Sequence, residues 1–178
     1  MADASHRDVV AAQIGRVTRA DGEVVASCGL GLPVVVRMPP VLDDGTPFPT
    51  RYWLTCPLAV RRLGRVESGG GIAAAEEYLV GDADEAARME QAHVAYAAER
   101  DADLPSDVAM RPRGGVAGIR EGGVKCLHAH YAHHAAGGDN PVGEMVAGDV
   151  EPLACARPCV VASASTWVVN PQWREPHR

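Results

Sequence analysis

The chain has 178 residues, 47% hydrophobic and 22% charged, with a formal net charge of −6. That make-up is one ordinary globular domain's worth and excludes a disordered or fibrous chain. The acidic balance, with arginines clustered only at Arg61, Arg62 and Arg65, argues against nucleic-acid binding, and no eighteen-residue apolar run exists to span a membrane.

Residues 6–16 read as a short amphipathic helix with Val9, Val10 and Ile14 turned inward. Two β-branched runs follow, at 24–26 and 33–38, separated by Cys28-Gly29-Leu30-Gly31-Leu32, a hairpin signal with glycines in the turn. Residues 43–50 are a turn-rich loop of aspartate, glycine and proline, and 51–55 form a third, aromatic strand. Period-2 alternation puts Tyr52 and Trp53 on opposite faces, one buried and one available. Pro57 then opens a helix carrying Leu58, Val60, Leu63 and Val66, broken at residues 68–71 and resumed over 72–80. Asp82 or Asp84 caps the next helix, which runs to about residue 100 with Ala86, Met89, His93 and Tyr96 on one face. Residues 104–123 read as a surface loop, 124–136 as a helix ended by Gly137-Gly138, and 167–178 as an extended tail. Asn140-Pro141 reads as the start of a turn. The expected fold is α+β: a small antiparallel sheet of about three strands in the N-terminal third, packed against several helices. Residues 1–150 make one domain in this reading and 151–178 a partly irregular extension.

Five cysteines and seven histidines stand out in so plain a chain. The N-terminal residues lack an apolar signal segment, so the expected setting is cytoplasmic, where thiols stay reduced or bind metal. The densest segment is Lys125-Cys126-Leu127-His128-Ala129-His130-Tyr131-Ala132-His133-His134, which also holds the single lysine. On a continuous helix Cys126, His130 and His133 share one stripe about 60° wide, His130 lying about 40° to one side of Cys126 and His133 about 20° to the other. Cys28 in its turn and Cys56 at a strand–helix join supply further thiols. Soft sulfur and imidazole suit tetrahedral zinc, so the expected ligands are Cys28, Cys56, Cys126 and His130, with His128 and His133 as alternates. Two other readings stay open. The cysteines are of the type that packs inertly in cores, and Cys126 beside a histidine is a candidate nucleophile. A catalytic pocket would draw on Lys125, Cys126, His128, Arg51 and Asp44, acting on a small phosphorylated or acyl substrate. Cys155 and Cys159, spaced C-x3-C around a proline, are expected to have no role.

The segments 44–57 (DGTPFPTRYWLTCP), 124–128 (VKCLH) and 140–143 (NPVG) resemble an uncharacterised bacterial, mainly actinobacterial family, the domain of unknown function numbered 501. The resemblance spans about residues 7–148 and implies no established activity. It centres on Cys56, Lys125, Cys126 and His128, which raises His128 against His130. The family's gene neighbourhood, beside a septum-formation initiator, implies an adaptor near cell division with a protein partner. A zinc-binding module joining sheet to helix is thus the leading expectation, with a hydrolase and a metal-free interaction domain as the alternatives.

Overall fold

A computed structural model describes residues 6–120, 122–164 and 166–177. Helix α1 (His6–Ile14) buries Val9 and Val10 and leads into strand β1 (Glu23–Ser27). β1 pairs antiparallel with β2 (Pro33–Arg37), and β2 with β3 (Tyr52–Leu54), so β2 is the central strand. Four of its five residues are buried, because both faces of the strand are covered. Val34 and Val35 enter the main core, while Val36 joins Val10, Ala20, Met38 and Leu42 in a smaller cluster. The fold is α+β, with this three-stranded sheet in the N-terminal part.

Helix α2 (Pro57–Ser68) starts one residue after Cys56, its N-cap, with proline at the first turn where no N–H is needed. Helix α3 (Gly71–Gly81) and helix α4 (Ala83–Ala102) follow. The Asp82 carboxylate accepts the N–H groups of Asp84 and Glu85, which fixes the start of α4. Met89, Ala92, His93 and Tyr96 form its buried face.

The second half departs from the sequence reading in four places. The 104–123 segment is not wholly surface. It contains a short 3-10 turn, Val116–Gly118, and Val116 is fully buried beneath α4 with its N–H bonded to His93 Nδ1. The next helix, α5 (Leu127–Ala135), opens at residue 127 rather than 124, and Gly137, at φ 91°, closes it in the left-handed region. Asn140 then caps a further helix, α6 (Pro141–Val150), whose Val142, Val146 and Val150 are buried at four-residue spacing. Finally, β4 (Val160–Ser163) and β5 (Thr166–Val169) pair antiparallel where an irregular tail was expected, and both strands lie against α1. Cys159, Val160 and Trp173 belong to the main core, so the chain after α6 folds back onto the sheet and α2.

Candidate functional site

Cys126 lies outside helix α5. Its backbone is extended, at φ −152° and ψ 112°, and it occupies the N-cap position. The stripe that a continuous helix would have shared among Cys126, His130 and His133 therefore does not form. The Cys126 sulfur instead lies 3.8 Å from Nδ1 of His128. The same Nδ1 is 3.1 Å from Oε1 of Glu67, near the end of α2, and that oxygen accepts the Leu127 N–H at 2.7 Å. One carboxylate thus ties the last turn of α2 to the first turn of α5. On the far side of the ring, His128 Nε2 is 3.1 Å from the Val60 carbonyl. A carbonyl only accepts, so Nε2 carries the hydrogen, and the Nδ1 edge is left facing Cys126 and Glu67.

Glu67, Cys126 and His128 are all half-buried, and each offers one ligand atom within 4.8 Å of the other two. The Cys126 thiol, and then Glu67, lift His128 to about 9, against the desolvation that would lower it. Cys126 and His128 line a cleft of about 850 Å³, within the size range of small-molecule sites. Trp53 forms part of another wall; of the two aromatics on β3 it is the one left partly exposed, while Tyr52 is buried. Arg16, Arg61 and Lys125 line the cleft, and among the described residues no carboxylate does. The Arg16 guanidinium sits 5.1 Å from the Trp53 ring centre, and that of Arg61 sits 4.7 Å from the Trp173 ring centre, whereas Lys125 is exposed to solvent.

The sequence model of a family described as a protein of unknown function, DUF501, matches residues 24–148. The chain belongs to that family. No curated protein and no solved structure matches it. The DUF501 match takes in Glu67, Cys126 and His128 but ends before Cys155 and Cys159.

The structure separates the four ligands expected from the sequence. His130 is fully buried on the inward face of α5, where its Nδ1 is 3.2 Å from Asn140 Oδ1. His133 is buried beside it and accepts the Asn140 amide at 3.2 Å. Burial lowers both to about 4, so they are neutral groups of the core, bonded to Asn140. Cys28 and Cys56 line a different, small pocket, together with Cys155 and Cys159. Burial pushes the Cys56 thiol up to about 11.

Two catalytic candidates are also engaged elsewhere. Arg51 is buried, with Nη2 2.6 Å from Asp103 and Nε 3.7 Å from Glu99, so it holds β3 to the end of α4. Asp44 is paired with Arg19 on an exposed loop, and that partner, with Thr46, holds its carboxyl at about 2. Lys125, Cys126 and His128 remain at the cleft. Glu67 was absent from the expected set, since an acid near the end of a helix reads as a solvated charge. Its partner, the Leu127 N–H, lies sixty residues on, and no local pattern links the two.

Proposed function

We propose that the DUF501 cleft is a hydrolytic centre in which Cys126 and His128 on its wall, with Glu67 within 4.8 Å of both, hold one zinc ion and a small anionic substrate, phosphorylated or acyl, lies against Lys125 and Arg16. The observation that carries this reading is the convergence of a carboxylate, a thiol and an imidazole within 4.8 Å beside an open cleft. Three protein ligands with a fourth position toward solvent is the pattern of catalytic zinc, whereas structural zinc is closed by four. The Val60 carbonyl supports the reading from behind. It binds the Nε2 hydrogen of His128, so that loss of the Nδ1 proton on metal binding leaves Nδ1 as the ligand atom. When bound, zinc would acidify a water molecule toward neutral pH and polarise the scissile group. Lys125 and Arg16 give the cleft a positive lining in a chain of net charge −6, which favours an anionic substrate. A cytoplasmic setting belongs to the same proposal, because there Cys126 stays a thiol.

Zinc titration of the purified chain tests it. His128→Ala and Cys126→Ala should each weaken the cleft site by more than about 100-fold, beyond the loss typical of an outer-shell partner. Zinc-dependent cleavage of nitrophenyl phosphates or esters should disappear with them. Zinc uptake that is indifferent to both substitutions overturns the reading. One observation favours a second reading: Cys126 stands at the N-terminus of α5 beside an imidazole, where a thiolate nucleophile is stabilised. Hydrolysis that survives chelation and is abolished by alkylating Cys126 would select it.

A further inference from the structure

Four of the five cysteines line one pocket. Cys28, Cys56, Cys155 and Cys159 line a pocket of about 10 Å³, the space of a single water-sized body. Three separate segments bring them there. Cys28 sits in the β1–β2 turn, its carbonyl accepting the Gly31 N–H at 2.8 Å and its N–H bonded to Leu32 at 2.9 Å. Cys56 is the N-cap of α2, where burial raises its thiol and the opening N–H groups of the helix only partly offset this. Cys155 and Cys159 flank a bend in the otherwise irregular stretch between α6 and β4. Two side chains already point hydrogens at this sulfur group. Trp173 Nε1 donates to Cys155 Sγ at 3.4 Å, and Gln13 Nε2 to Cys159 Sγ at 3.7 Å. Inert packing accounts for a buried thiol or two, but not for four thiols around one small pocket at a joint between chain segments, two of them met by side-chain N–H donors.

We infer that Cys28, Cys56, Cys155 and Cys159 form a tetrathiolate site that binds one zinc ion and clips the segment after α6 onto the sheet and α2. None of the four cysteines lines the cleft, so the two sites share no ligand. On binding, the four thiols release four protons to solvent and four Zn–S bonds form, with no change of oxidation state. Tetrahedral bonds of ~2.3 Å place the sulfurs ~3.8 Å apart. Among the described residues no three of these sulfurs lie within 4.8 Å of one another, so binding draws the three segments closer together. Four ligands leave no open position, and the role is structural.

The decisive measurement is zinc-edge absorption on the full chain carrying Cys126→Ala, which removes the cleft thiol. One zinc per chain with four sulfur neighbours at ~2.3 Å is expected. A shell containing nitrogen or oxygen, or no zinc, overturns the assignment. In the same Cys126→Ala protein, zinc loading should protect the four remaining thiols from alkylation, and a chelator should expose them. Equal labelling with and without zinc, or an intact mass showing disulfides, overturns it as well. Cys159→Ala should lose one zinc per chain while the His128-dependent zinc remains, so failure at either site is read separately from the other.

Discussion

Asn140 serves three neighbours with one side chain. Its Oδ1 accepts the Gly143 N–H at 2.8 Å, which caps α6, and also the Nδ1 hydrogen of His130 at 3.2 Å; its amide donates to His133 Nδ1 at 3.2 Å. His133 stacks on Tyr52 and meets Tyr96 edge-on, and His130 meets His93 edge-on. Charging either ring would bury a cation here, and the consequence for stability has a definite sign. His130 and His133 fall from 6.5 to about 4 on folding, so below pH 6.5 the unfolded chain binds more protons than the folded one. Their contribution is complete above pH 6.5 and is lost as pH drops toward 4. Glu99 and Asp139 oppose the shift at His133, and His93 and His134 reinforce it, but desolvation leads. His128 acts in another window. Held at about 9, it contributes fully below pH 6.5 and loses that contribution as pH rises through 9. Urea midpoints of metal-free protein should therefore fall steadily between pH 6.5 and 5, before most carboxylates titrate. A flat profile there would contradict the buried neutral imidazoles.

Helices α5 and α6 pack so closely that one glycine decides their distance. A Cβ at Gly143 would lie 2.4 Å from the His130 carbonyl oxygen and 2.5 Å from His134 Cβ. Gly143→Ala should cost about 1–3 kcal/mol, since backbone must shift to admit the methyl group. Gly148→Ala, on the same helix, meets nothing within 4 Å and should stabilise by up to about 1 kcal/mol through helix propensity. Thermal melts of the two variants should move in opposite directions. The same helix pair shows where the sequence could be read and where it misled. The three strands of the first sheet, the Asp82 cap and the glycine exit from α5 were legible, because each is a local signal, whereas β4 and β5 were not. Asn140-Pro141 was ambiguous, as a cap followed by proline opens a helix as readily as a turn. The later spacing of Val142, Val146 and Val150 would have decided it. Cys126 misled because the stripe argument needs it inside α5, and a shift of the helix start by a few residues turns its sulfur from His130 to His128. Glu67 and the four-thiol pocket were out of reach of any periodicity, because their partners are tens of residues away.

Across the whole molecule, Arg62 does for the C-terminal segment what hydrogen-bond ladders do inside a sheet. Its side chain is buried, and Nη1 donates to the Val150 carbonyl at 2.5 Å and the Pro152 carbonyl at 2.8 Å, with Glu175 3.9 Å from Nε. A residue in the middle of α2 thereby holds the end of α6 and the chain that leaves it. Arg62→Met fills much the same space but orphans two carbonyls, and should cost about 2–4 kcal/mol in denaturant unfolding. A loss under ~0.5 kcal/mol, the size of an ordinary surface change, would show that the segment after α6 stays docked without the guanidinium.

The position of Lys125 has a practical consequence. It is the single lysine among 178 residues, and it stands at the mouth of the cleft, next to Cys126. A lysine-specific protease has one peptide bond to cut, and that bond joins the cation of the cleft to its thiol. The rate of that single cut, or of acylation of that single side-chain amine, is a built-in gauge of cleft occupancy. Compounds can be ranked by how far they slow it before any reaction is known.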